Sequence, residues 1–91
     1  MMSRVFRSPR AGIEIDEIAA YLAERSLPAA RRFLEALERA HQLLSEFPNS
    51  GAAGLSPGTR RLIVGDYILS YRRRGAEIFA VRHARRRDAR L

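Results

Sequence analysis

The fold is decided by residues 60–82, RRLIVGDYILSYRRRGAEIFAVR, in which three largely apolar runs alternate with two short breaks. The runs are rich in the β-branched and aromatic residues that favour strands. The breaks, Gly65-Asp66 and Arg73-Arg74-Gly75, are so short that neighbouring strands must form antiparallel hairpins. This stretch therefore predicts three consecutive antiparallel strands, over residues 60–64, 67–72 and 77–82.

Before this stretch, the apolar residues are spaced with the period of an α-helix. Ser8-Pro9 is a helix-start signal, and residues 11–24 carry apolar side chains three and four positions apart. After a break at residues 26–28, a second apolar stripe continues to Pro48, which ends the helix. Residues 51–58 are mostly Gly, Ala, Ser and Pro and predict a loop. Two helices joined by so short a break predict an antiparallel helical hairpin.

Residues 4–8, in which Val5 and Phe6 are apolar, predict one more short strand at the start, so the expected order is β-α-α-β-β-β. This order predicts an α+β fold in which the helical hairpin packs on one face of an antiparallel sheet. Residues 1–91 are expected to form one domain that ends in an Arg-rich tail over about residues 83–91. We also expect the Tyr21 ring to lie against the sheet with its hydroxyl pointing outward, and the Phe47 ring to be buried.

Composition excludes several classes of protein. The chain has 91 residues and no Cys, which excludes a disulfide framework and a thiolate metal site. No apolar run approaches the roughly 18 residues of a membrane span, and residues 1–7 lack the apolar segment of a signal peptide. We therefore predict a cytoplasmic protein with no membrane association, no metal and no other cofactor.

The charge of the chain points to anionic or nucleic-acid-associated partners. The formal net charge is +7, which favours nucleic acid, an acidic protein or a nucleic-acid enzyme as the partner. All 17 basic residues are Arg, and Arg binds phosphate and carboxylate through two parallel hydrogen bonds. A codon bias toward Arg is the alternative explanation. In either case, no mechanism can use Lys as a general acid or base.

Several short phrases follow one another along the chain. They include Pro28-Ala29-Ala30-x-Arg32-Phe33-Leu34, Phe47-Pro48-x-x-Gly51, Val64-Gly65-x-Tyr67-Ile68-Leu69-x-Tyr71-Arg72 and Glu77-Ile78-x-x-Val81-x-His83. Their order and spacing resemble the RelE/ParE toxins of bacterial type II toxin–antitoxin systems. The resemblance extends from Arg4 to about Asp88 and implies the fold described above. It also implies an antitoxin partner with an acidic C-terminal segment, bound in the gap between the hairpin and the sheet, and a toxin–antitoxin hetero-oligomer.

The two branches of this family differ in activity. RelE-like members cleave mRNA on the ribosome, which requires a general base, a general acid and cations for the phosphate. In the predicted sheet His83 is the one candidate proton shuttle, because Arg stays protonated. Glu77, at a strand start, is expected to be solvated, and His41 belongs to the second helix. A nuclease site would combine His83 with Arg61, Arg72 and Arg82, and this set has no evident second acid–base partner.

The helix and strand phrases are more similar to ParE-like members, which poison DNA gyrase. The resemblance therefore implies a toxin that binds gyrase and is neutralised by its antitoxin, rather than an enzyme. Two alternatives stay open, a ribosome-dependent mRNA endonuclease and a non-toxic member that only binds its antitoxin. The residues expected to contact the target are Arg82, His83, Arg85, Arg86, Arg87 and Arg90.

Overall fold

In the computed structural model, residues 4–86 and Ala89 are described. Two helices pack on one face of a five-stranded sheet with the strand order β1-β5-β4-β3-β2. The predicted α+β fold with a helical hairpin is therefore confirmed. The elements are β1 (Phe6–Arg7), α1 (Pro9–Arg25), α2 (Leu27–Glu46), β2 (Ala52–Ala53), β3 (Thr59–Val64), β4 (Tyr67–Arg72) and β5 (Glu77–His83), with a 3-10 turn at Arg74–Ala76.

Two details of the sheet differ from the sequence-based expectation. β1 pairs with β5 in parallel, with Phe6 opposite Glu77, so the sheet is mixed rather than purely antiparallel. Only strands joined by short turns are forced to be antiparallel, and the helical hairpin separates β1 from all other strands. In addition, Ala52 and Ala53, within the predicted loop, form a short strand that pairs with Arg61 and Arg60.

A single serine ends one helix and begins the next. The Ser26 N–H donates to the Leu22 carbonyl at 2.7 Å, which closes α1. The Ser26 hydroxyl accepts the Ala29 N–H at 3.2 Å, which caps the start of α2. Ser8 caps α1 in the same way through the Ala11 N–H, at 3.1 Å. These caps explain why the hairpin connection is so short.

The core lies between the hairpin and the inner face of β3, β4 and β5. Leu69 and Tyr71 on β4 are fully buried and pack with Ile15 of α1 and Leu37 of α2. The buried Tyr71 hydroxyl donates to the Pro48 carbonyl at 2.7 Å and accepts the Gly51 N–H at 3.0 Å. The core thus fixes the turn that follows α2 as well as the sheet.

The positions of two aromatic rings were predicted wrongly. Tyr21 is 54% exposed and Phe47 is 60% exposed. Tyr21 lies beside the inward stripe of α1, and the Arg25 guanidinium stacks 3.7 Å from its ring centroid. Phe47 is the residue at which α2 ends, and its N–H donates to the Leu43 carbonyl while its ring points outward.

Neither α1 nor α2 is long and apolar enough to cross a membrane, and no other helix in the described residues meets that requirement.

Candidate target-binding site

His83 lies at the end of β5, directly opposite Tyr67 at the start of β4. The two rings meet edge to face with centroids 5.4 Å apart, and Tyr67 in turn contacts Phe33 of α2 at 5.0 Å. Aromatic pairs at these distances stabilise a defined ring geometry. The fold therefore fixes His83 through a row of rings that starts in the core.

The chain turns back directly after His83. The Ala84 N–H donates to the Asp66 carbonyl at 2.9 Å, and the Arg86 N–H donates to the His83 carbonyl at 3.0 Å. The Arg85 N–H donates to His83 Nδ1 at 3.1 Å, so the neutral imidazole carries its proton on Nε2. Arg85 and Arg86 are exposed. This turn presents both side chains beside the partly exposed His83 ring.

Arg82 occupies a different environment from its neighbours. It is only 4% exposed, and its Nε donates to Glu14 Oε2 at 3.1 Å. The second Glu14 oxygen accepts the Val81 N–H at 3.1 Å. Since β1 pairs with β5 only at Glu77 and Ile78, this carboxylate replaces a missing strand at the edge of β5. Arg82 therefore joins α1 to β5, and its guanidinium does not lie on the exposed surface.

A cleft of about 330 Å³ lies between α1 and the ends of β4 and β5. No pattern in the sequence indicates this cleft, because residues 14–21 and 81–86 are brought together only by the packing of α1 on β5. Partial burial raises the pKa of the Tyr67 hydroxyl, and the nearby Asp66 and Tyr21 raise this pKa further. Tyr67 thus stays a neutral hydrogen-bond donor at physiological pH. The cleft is lined by Glu14, Glu17, Ile18, Tyr21, Tyr67, Val81, Arg82, His83 and Arg86.

The four residues of the hypothetical nuclease set do not converge. Arg72 is at the opposite end of β4 from Tyr67, the residue that pairs with His83, and five strand residues span about 17 Å. The Arg72 Nε lies 3.3 Å from Glu77, and its guanidinium stacks on the Phe79 ring at 4.9 Å. Arg61 pairs with Ser70, on the sheet face turned away from the helices. Only Arg82 and His83 of this set line the cleft.

Two other predicted target-binding residues, Arg87 and Arg90, lie outside the described residues. Within residues 4–86 and Ala89, no group of three His, Asp or Glu side chains is arranged to hold a metal ion.

A second concave surface follows α2, in the gap between the hairpin and the sheet. Two adjoining cavities of about 430 and 290 Å³ share Ala36, Arg39, Val64 and Gly65 as lining residues. At the end formed by the smaller cavity, Ile63 is 79% exposed and Leu43 is 38% exposed. No described strand pairs with the outer edge of residues 62–64, because β2 stops opposite Arg61. We call this surface, lined by Leu22 of α1, by residues of α2 and by residues 62–67, the hairpin groove.

Comparison with known proteins places the chain in a family. The family model of the ParE toxin of the type II toxin–antitoxin system parDE matches residues 5–88. "Putative toxin Y4kP" of Sinorhizobium fredii is 40% identical over 78 residues, which cover 82% of this chain and 81% of that protein. A chain in the structure of the chromosomal ParDE TA system from P. aeruginosa matches with a TM-score of 0.71, over 90% of this chain and 96% of that one. Its sequence identity is 20%, so this likeness concerns the fold.

The match over residues 5–88 and the identity to a relative of similar length agree with the fold and with the phrases found in the sequence. The chain belongs to the ParE toxins of type II toxin–antitoxin systems.

Proposed function

We propose that this toxin inhibits DNA gyrase through the surface formed by His83, Arg85 and Arg86, in the cytoplasm, and that a cognate antitoxin neutralises it. The observation that carries the proposal is the fixed turn after β5, which presents two exposed guanidinium groups beside His83. A rigid, exposed cationic surface suits recognition of an anionic surface on a large partner. We call residues 83–86 the tail-end surface.

The geometry supports binding rather than RNA cleavage. A nuclease needs an acid, a base and a phosphate clamp around one point. Arg61 and Arg72 lie away from His83, and the Arg82 guanidinium is engaged by Glu14. His83 Nδ1 is also engaged, by the Arg85 N–H. Because these groups are either distant from His83 or already hydrogen-bonded, the site is better suited to recognise a charged partner, which requires no proton transfer.

The hairpin groove is the surface that we assign to the antitoxin, a partner that membership of this family implies. The groove combines apolar lining residues with two cationic ones, Arg32 and Arg39, and a single acidic one, Asp66. An amphipathic, acidic segment would match both properties. The groove adjoins the tail-end surface at Asp66 and Tyr67. Its two arginines lie on α2, however, so binding of the antitoxin and contact with gyrase are expected to respond to substitutions of different arginines.

The experiment that tests this function measures two activities of the purified toxin in parallel, gyrase-catalysed supercoiling and ribosome-dependent mRNA cleavage. We expect inhibition of supercoiling that is reversed by the antitoxin, and no cleavage. Cleavage without inhibition of gyrase would overturn the proposal in favour of an mRNA endonuclease. A toxin that binds its antitoxin and shows neither activity would overturn it in favour of a non-toxic member.

A further inference from the structure

A second concentration of positive charge lies at the end of the sheet opposite the tail-end surface. Arg72, Arg73 and Arg74 are consecutive and exposed in the connection between β4 and β5. We call these three residues the basic turn. Since Tyr67 and Arg72 are the two ends of β4, about 17 Å of strand separates the basic turn from the tail-end surface. The two surfaces can therefore contact different partners.

The basic turn is held in place by the loop between β2 and β3. The Arg73 N–H donates to the Gly58 carbonyl at 3.0 Å, and the loop is itself closed by a 2.9 Å hydrogen bond from the Gly54 N–H to the Thr59 carbonyl. Ala76, which follows the turn, is buried with a φ of 49°. A non-glycine residue keeps this left-handed conformation only where the surrounding structure enforces it. The guanidinium groups are thus presented from a fixed backbone.

An open cavity of about 330 Å³ lies where the loop meets the turn. It is lined by residues 53–60 and Arg73, and none of these lining residues is acidic. Arg60 is fixed at its wall because its Nη1 donates to the Gly51 carbonyl at 2.7 Å. The other lining residues, apart from Leu55, are small, so an extended ligand can approach the backbone closely. The cavity therefore places the cationic side chains of Arg60 and Arg73 beside accessible backbone.

Little of this charge is neutralised within the part of the chain that the structure describes. Arg72 pairs with Glu77 at 3.3 Å, but both side chains are about half exposed. Arg73 and Arg74 form no ion pair with another described residue. Adjacent unneutralised guanidinium groups favour a partner with closely spaced negative charges.

A phosphodiester backbone fits these features better than an acidic protein segment does. It carries regularly spaced charges, and guanidinium groups bind phosphate through two parallel hydrogen bonds. Stable protein–protein contacts also bury an apolar centre, whereas Leu55 is the one large apolar side chain that lines this cavity. None of the charged groups here is placed on a helix that could enter a groove and read bases.

We propose that the basic turn, together with Arg60 and the loop at residues 53–59, binds the phosphate backbone of duplex DNA without sequence preference. This surface is additional to the tail-end surface, and the proposal does not depend on gyrase being the target. It assigns to the toxin a second macromolecular contact, on the end of the sheet away from His83.

The test measures binding of the purified toxin to a fluorescently labelled duplex by anisotropy, over about 50 to 200 mM salt. The variant combines Arg73→Gln with Arg74→Gln, and the matched control combines Arg25→Gln with Arg31→Gln, two exposed arginines of the helical hairpin that do not line the hairpin groove. Each phosphate contact adds about 0.9 to the slope of log K against log salt. We expect the variant's slope to be shallower by about 1.8 and the control's slope to be unchanged.

Three results would overturn the proposal. The first is an equal loss in the variant and the control, since net charge alone would then explain binding. The second is the absence of binding by the unaltered toxin at the lowest salt. The third is that the variant keeps its affinity for the duplex but loses affinity for polyglutamate, which would assign the surface to an acidic protein. If the unaltered toxin and both variants bind the duplex as expected but the unaltered toxin does not inhibit gyrase, only the proposed target is contradicted. Because both pairs are exposed, both variants should unfold at the wild-type Tm.

Discussion

The two ends of the β4–β5 hairpin each carry an Arg–Glu pair, and the two pairs have opposite surroundings. Arg82 lies 3.1 Å from Glu14, with side chains that are 4% and 15% exposed. Arg72 lies 3.3 Å from Glu77, with side chains that are 57% and 43% exposed. The distances are almost equal, so the difference between the pairs lies in their burial and in their other hydrogen bonds.

Arginine therefore has two different roles in the same sheet. At the end of the hairpin next to the tail-end surface, which we call the tail end, Glu14 also accepts the Val81 N–H, so the pair fastens α1 to the edge of β5. At the end that carries the basic turn, which we call the turn end, Arg72 and Glu77 both stay in contact with solvent, and Arg72 remains part of a cationic surface. A count of arginines therefore overestimates the charge that a partner can contact.

The largest expected effect is that of Glu14→Ala, which should lower the free energy of unfolding by about 3–5 kcal/mol. The substitution leaves the Arg82 guanidinium without its carboxylate and the Val81 N–H without its acceptor. In a domain of this size, such a loss should lower the Tm by more than about 10 °C. Urea denaturation followed by circular dichroism measures it.

A double variant sharpens that prediction. Glu14→Leu combined with Arg82→Met replaces both charges by apolar groups, and this change should cost less than Glu14→Ala alone. If the double variant is less stable than the single one, the pair contributes through its hydrogen bonds to the backbone rather than by compensating a buried charge.

A smaller effect is expected for Glu77→Ala at the turn end. Because the Arg72–Glu77 pair is exposed, its loss should cost no more than about 1 kcal/mol, and added salt should reduce the difference further. The same urea experiment at low and high salt checks this. A cost equal to that of Glu14→Ala would contradict the distinction between the two ends.

The smallest effect concerns pH and is confined to the tail end. Burial, Asp66 and Tyr21 raise the pKa of Tyr67 above its usual value of 10.0, so the folded state favours the neutral phenol. This contribution to stability is complete below about pH 10 and is lost as the pH rises through the folded-state pKa. Tyr67→Phe should therefore unfold with a weaker pH dependence above pH 10. If the free energy of unfolding falls equally steeply with pH in the variant and in the wild type, Tyr67 contributes nothing to this pH dependence.

The sequence was sufficient for the features that depend on local patterns. The apolar runs in residues 60–82 and the two short breaks determine the order β3, β4, β5 and their antiparallel pairing. Ser8 and the break at residues 26–28 mark the helix starts within one or two positions. In each case the residues that form the pattern are close in sequence to the residues that form the resulting hydrogen bonds.

The features that sequence did not reveal depend on contacts between distant segments. Glu14 and Arg82 are 68 residues apart, and no local pattern connects a carboxylate in an early helical turn to an arginine of the last strand. Arg82 was consequently expected at the target surface, although it is buried. The parallel pairing of β1 with β5 is equally non-local, and a two-residue strand is too short for a period to be recognised.

The claim that the tail-end surface contacts gyrase is tested by measuring inhibition of supercoiling by the variant that combines Arg85→Glu with Arg86→Glu. The control is Arg31→Glu with Arg32→Glu, which makes the same change in charge on α2. We predict that the tail-end variant folds, binds the antitoxin and no longer inhibits gyrase, while the control inhibits as the wild type does. Full inhibition by the tail-end variant, or equal loss in both variants, would contradict the claim.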